Sequence, residues 1–230
     1  MPRPKLHTDR EYEQQLRELK ENVLLMAGRV EEMIDSSVRA LVQGDSELAR
    51  RTIRSDRKVN RAELDIDELC MLLLAKRQPV ASDLRRITFT LKMVTDLERI
   101  GDLGVNIAER ALDLERLPRW PLYEGIVDMA AITRSMVKDA IDAFVQGNVD
   151  QAAAVIERDD KVDELYTHVF HEALELMRKE PATIQRGIHV QSVAKWLERV
   201  ADHSTNLAEQ VIFMVKGKDV RHPSLRRETR

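Results

Sequence analysis

The sequence predicts an all-α protein built from two tandem, pseudo-symmetric three-helix bundles. Three observations predict it. Gly (8) and Pro (7) are scarce, aromatics make up 4% and charged residues 33% of the 230-residue chain, a balance suited to long amphipathic helices and poor for sheets. Apolar residues recur at alternating spacings of three and four. The same pattern then starts again about a hundred residues later.

The first helix spans 9–44. Its seam is Leu16, Leu19, Val23, Met26, Val30, Met33, Ser37 and Leu41, and Gly44 supplies the stop. Asp45 and Ser46 open a second helix over 46–77 that carries Leu48, Val59, Ala62, Ile66, Leu69 and Leu73 on one face and ends before Pro79. The third, 82–116, has the seam Leu84, Ile87, Leu91, Val94, Glu98, Gly101, Val105, Ala108 and Leu112. A carboxylate therefore stands where the period calls for an apolar side chain.

Pro118 and Pro121 mark a linker, because two prolines so close together do not fit inside a helix. Beyond them the pattern repeats. Val42-Gln43-Gly44-Asp45 is matched by Val145-Gln146-Gly147-Asn148, and Lys58-Val59-Asn60 by Lys161-Val162-Asp163, at an offset of 103 (145 minus 42, 161 minus 58). ERIGDLGVNIAE from Glu98 is matched by ERVADHSTNLAE from Glu198 at an offset of 100 (198 minus 98). The second unit is expected as helices over 123–147, 149–179 and 183–216. The two repeats then occupy 9–117 and 122–217, with flexible tails at 1–8 and 218–230.

Charge and composition exclude several function classes. A formal charge of -3 gives no global basic field to gather nucleic acid or an anionic membrane. The first residues have no apolar signal region and no apolar run is long enough to span a bilayer, so a cytoplasmic protein without membrane insertion is expected. Cys70 is the only cysteine, which rules out an intrachain disulfide and reads as a small buried hydrophobe. No glycine-rich phosphate loop, nucleophile elbow or catalytic triad spacing occurs, so no enzyme is expected.

The candidate site is acidic and duplicated. Glu98 and Asp102 are four apart and share a helix face with Asn106 and Glu109; Asp56, Asn60, Glu63 and Asp67 share a face of the second helix. The second repeat supplies Asp159 and Asp163 opposite Glu198, Asp202, Asn206 and Glu209. Solvated surface ion pairs are the ordinary explanation of one such pair. Like charges at this spacing destabilise a helix, however, and half-buried carboxylates need a partner, so keeping both in two copies favours a shared multivalent cation. Arg99 and Arg199 follow the glutamates directly and point about a quarter-turn away. Oxygen donors suit hard ions such as iron(III), manganese or magnesium. The Glu-x-x-His motif of di-iron bundles is missing, which disfavours a metal-storage or di-iron role, and a purely structural scaffold is the other alternative. His168 and His171, with no second pair, read as ordinary polar residues.

On these residues the chain resembles the PhoU family. The segments that carry the resemblance are Ala49 to Cys70, Ala75 to Arg85, Leu97 to Glu109, Glu157 to Tyr166 and Leu197 to Glu209. The resemblance implies a metal site formed by Glu98, Asp102, Asp56 and Asn60, and another formed by Glu198, Asp202, Asp159 and Asp163, each suited to multinuclear iron or zinc. Asn60 replaces an acid and lowers the charge of the first site. Ala201 stands where the first repeat has Gly101. The family implies a homodimeric negative regulator of the phosphate-starvation response that modulates phosphate uptake. It would act between the ATPase subunit of a phosphate ABC transporter and a sensor histidine kinase.

Overall fold

The computed structural model describes residues 7–77, 79, 81–115 and 123–217. The linker prolines, residues 1–6 and residues 218–230 lie outside the described residues, and with them the expected tail at 218–230 and most of the one at 1–8, whose last two residues belong to the first helix. Described residues are helical almost throughout and contain no strand.

In the first repeat α1 (His7–Gln43), α2 (Ser46–Arg77) and α3 (Ala81–Leu114) pack pairwise on one another. The α1 seam is buried as the period requires: Val23, Met26 and Val30 are fully enclosed, with Leu19, Met33, Ser37 and Leu41 beside them. Gly44 ends the helix at a φ of +70°, where a β-carbon would be strained. The Asp45 carboxylate accepts from the Leu48 amide at 2.8 Å and caps α2. On α3 the buried stripe is wider than the seam suggested. Leu84 is exposed, whereas Phe89, Met93, Leu97, Ile100 and Leu103 are buried, because α3 packs against α7 as well as α1 and α2.

The second repeat keeps its three helical segments, with one interruption in the middle one. After α4 (Tyr123–Gln146), the single helix expected over 149–179 is two, α5 (Val149–Glu157) and α6 (Asp159–Lys179). A 3-10 turn, Pro181–Thr183, precedes α7 (Ile184–Lys216), and the interruption at Arg158 divides the six expected helical segments into seven α-helices among the described residues. The break has a local cause. The Arg158 guanidinium donates through Nε to the Ala154 carbonyl at 3.2 Å, the acceptor that the Arg158 amide would use in a continuous helix. That amide turns to Val155 instead, at 3.1 Å. The guanidinium goes on to Ser135 Oγ at 3.0 Å and Asp139 Oδ2 at 2.6 Å, tying the break to α4. In the first repeat Ser55 holds this register, and α2 runs through.

The repeats join along α1–α4 and α3–α7, and the buried residues form one cluster that runs through both. Across α3–α7, Asp96 receives His203 Nδ1 at 2.9 Å and the Gln210 side-chain amide at 3.0 Å. Fourteen residues further along α3 (110 minus 96), the Arg110 guanidinium lies 5.6 Å from the Trp196 ring centre. Trp196 and Gln210 are the repeat counterparts of Asp96 and Arg110 (an offset of 100), so a polar contact in one half replaces a cation–π contact in the other.

Candidate functional site

Each repeat carries an acidic cleft between its middle and last helices. In the first, Asp56, Asn60, Glu63 and Asp67 project from α2, and Glu98 and Asp102 from α3. On α3, Gly101 is buried against α2, where an added β-carbon would meet Val59 Cγ1 at 3.4 Å. That is ordinary contact, which explains why the second repeat tolerates Ala201, also fully buried, at the equivalent position.

The Asn60 amide donates to Asp56 Oδ2 at 2.8 Å, so the neutral replacement for an acid is tied to its neighbouring carboxylate. Asp56 Oδ1, Asn60 Oδ1 and Asp67 Oδ1 are buried without a hydrogen-bond partner. Burial, then the charge of Asp102, holds the Asp56 carboxyl above its ordinary value. Glu63 is raised by burial and by Asp67 and Asp102; Glu98 by burial and by Asp102 and Glu63. Arg99 opposes both shifts. Although it lies beside the stripe, its field thus reaches the cleft, as a smaller influence than burial and those acids.

In the second cleft Asp159 is pushed up to about 6, by burial first and then by Asp163, Asp202, Asp160 and Glu198. Asp202 is raised by burial and Glu198, against Lys195. Lys195 donates to Glu198 Oε1 at 2.6 Å and sits 5.4 Å from the Tyr166 ring centre, while Glu198 Oε2 is buried and unpartnered. Lys195 and Tyr166 escape a search for repeated acids because their counterparts are Thr95 and Glu63. The lysine is still legible three residues before Glu198 on one helix face.

The eight residues expected to form the sites therefore line the two clefts, and Glu63 and Asp67, expected on the same face of α2, stand beside the first. Their side chains remain spread: among the described residues no three of His, Cys, Asp or Glu are gathered closely enough to hold a metal ion. Elsewhere, His168 lies 3.4 Å from Glu172 on the surface of α6. Cys70 is buried, its thiol pushed up to about 12, as the reading of a small hydrophobe requires.

Two three-helix units, each with an acidic cleft between its second and third elements, define a duplicated helical protein with paired anionic sites. The family model described as the PhoU domain matches twice, over residues 23–111 and 126–211. The phosphate-specific transport system accessory protein PhoU homolog of Pseudomonas putida is 39% identical over 97% of this chain and 88% of its own length. The accessory protein PhoU of Escherichia coli is 33% identical over 94% of this chain and 90% of its own. The crystal structure of PhoU from Pseudomonas aeruginosa superposes with a TM-score of 0.86 at 37% identity, covering 90% of this chain and all of that one. The phosphate transport system regulatory protein PhoU of Streptococcus pneumoniae gives 0.84 at 28% identity, covering 91% of this chain and 99% of that one. The chain belongs to the PhoU family.

Proposed function

We propose that this protein is an accessory regulator of a phosphate transport system, a cytoplasmic negative regulator of the phosphate-starvation response that modulates phosphate uptake. It works by binding, as a homodimer, between the ATPase subunit of a phosphate ABC transporter and a sensor histidine kinase. The observation that carries this reading is the double match to the PhoU domain, together with relatives named for phosphate transport that align over nearly the whole chain. A binding role also accords with a sequence in which no nucleophile elbow, catalytic-triad spacing or glycine-rich phosphate loop is recognised.

The acidic clefts are proposed to take a multivalent cation, iron, zinc or manganese, around which their spread side chains would have to draw together. Buried oxygens without partners on Asp56, Asn60 and Glu198, and carboxyls raised by their neighbours' charge, are the two features a cation would relieve together. Asp56, Asn60, Glu98 and Asp102 would hold one centre, and Asp159, Asp163, Glu198 and Asp202 the other. The bound ion would supply positive charge that fixes the two helices of each cleft.

Deleting the gene is expected to switch on phosphate-starvation genes in phosphate-rich medium, read by a reporter, and complementation should silence them again. Normal repression after deletion, in a host without a second family member, would overturn the regulatory reading.

A further inference from the structure

Outside the acidic clefts, the largest difference between the repeats is on the outer surface of the middle helix. Residues 50–61 contain six basic residues and one acid, a net +5; the aligned residues 153–164 contain two basic residues and five acids, a net -3. Arg50, Arg51, Arg54, Arg57, Lys58 and Arg61 are all exposed. Arg61 pairs with Asp65 at 2.8 Å, and the other five have no carboxylate partner among the described residues. Such crowding of unpaired like charge is unfavourable for an isolated helix, so it points to something anionic outside it.

Helical spacing sorts the cluster further. Arg50, Arg54, Arg57, Arg61 and Leu64 follow at four, three, four and three, opposite the buried stripe of Val59, Ile66 and Leu73. Leu64 and Met71, seven residues apart on that face, are each 60% exposed. From Arg50 to Met71 the stripe runs about 32 Å along the helix. Beside it, an open groove of about 460 Å³ against α1 is lined by Arg29, Lys58 and Leu25, the last 61% exposed. In its own repeat α2 packs only on α1 and α3, so this face is an outward ridge.

We propose that the outer face of α2 is a peripheral docking surface for an anionic lipid bilayer. Guanidinium groups pair with acidic headgroups, and the aliphatic side chains enter the interfacial layer. A nucleic acid or free polyphosphate would satisfy the arginines but leave Leu25, Leu64 and Met71 in water. No described helix is long and apolar enough to cross a membrane, so the contact is superficial and reversible. The aligned stretch of the second repeat, acidic instead, is repelled by the same surface, and the molecule is therefore oriented with its first repeat toward the lipid. This inference goes beyond the regulatory reading and stands without it.

The test is sedimentation of the full chain with large vesicles of phosphatidylcholine alone, or with about 30% phosphatidylglycerol, at low and raised salt. Wild type is expected to sediment only with the anionic vesicles and to be released by salt. Arg54→Glu/Arg57→Glu/Arg61→Glu should weaken partition about a hundredfold or more. Arg178→Glu/Lys179→Glu/Lys216→Glu, with the same change in net charge placed elsewhere, should stay within a few-fold of wild type. Leu64→Ser/Met71→Ser, which leaves the charge intact, should lower it several-fold; circular dichroism confirms folding of each variant. Absence of sedimentation with anionic vesicles overturns the proposal. So does an equal loss in the control variant, which would mean bulk electrostatics, or full binding by the apolar double variant, which would mean a generic polyanion surface.

Discussion

The two clefts share a frame and differ in what fills it. Their last helices keep the glutamate and aspartate at the same spacing, while their middle helices diverge. The first cleft has Asn60 bonded to Asp56, extra acids at Glu63 and Asp67, and the field of Arg99. The second has Asp163, the aromatic rings of Tyr166 and Phe170 in place of those extra acids, and Lys195 bonded to Glu198. Each repeat therefore reaches a compromise between gathering negative charge and offsetting it. Duplication kept the carboxylate spacing of the last helix and left the counter-charge free to change.

The largest expected effect separates the two clefts by metal content. Protein purified without chelator should carry transition metal by elemental analysis, and Glu198→Ala/Asp202→Ala should remove most of the second cleft's share while sparing the first. Unchanged content in the double variant would remove these residues from the site; restoring the missing acid with Asn60→Asp should raise the first cleft's occupancy.

Next in size is a packing difference. An added β-carbon at Gly125 would lie 2.6 Å from Val169 Cγ2, a stiff side chain inside the core. Gly125→Ala is expected to cost about 1–3 kcal/mol in denaturant unfolding. Asn22→Ala, at the equivalent position of the first repeat, should cost less than about 0.5 kcal/mol. Equal losses would show that the repeats pack alike here.

The helix break offers a smaller contrast. Arg158 joins α5 and α6 to α4 through half-buried contacts, so Arg158→Ala should cost about 1 kcal/mol and lower Tm by about 2–4 °C. Ser55→Ala removes only a bond to the Thr52 carbonyl of its own helix and should change Tm by less than about 2 °C.

Asp159 gives the finest test. Its folded carboxyl titrates near 6, above the ordinary 3.8, so between those values the folded state holds more protons than the unfolded one. Stability from this group is present below about 4 and is lost as pH rises through 6. Asp159→Asn should therefore stabilise the metal-free protein at pH 7 by about 1 kcal/mol after allowance for solvent screening, and the gain should vanish near pH 4. Asp56→Asn should act in the same direction. A variant whose advantage grew on acidification would contradict the cause assigned to the shift.

The sequence by itself determined the fold class, the duplicated helices and the acidic frames. Periodicity and spacing along one helix follow from covalent geometry, so Val23, Val30, Glu98 and Asp102 take their places whatever surrounds them. The repeat also carried its caps, since Gly44 and Gly147 both sit in the left-handed conformation that only glycine adopts without strain. Three-dimensional packing decided what spacing does not encode. The wide buried face of α3, and the meeting of Asp96 with His203, depend on how α7 crosses it. The break at Arg158 depends on Ser135 and Asp139 coming within reach from another helix, and the single core arises because apolar stripes in two repeats face one another. Contacts between residues distant in the chain are set by the shape of whole surfaces, and one helix's pattern does not contain the surface it will meet.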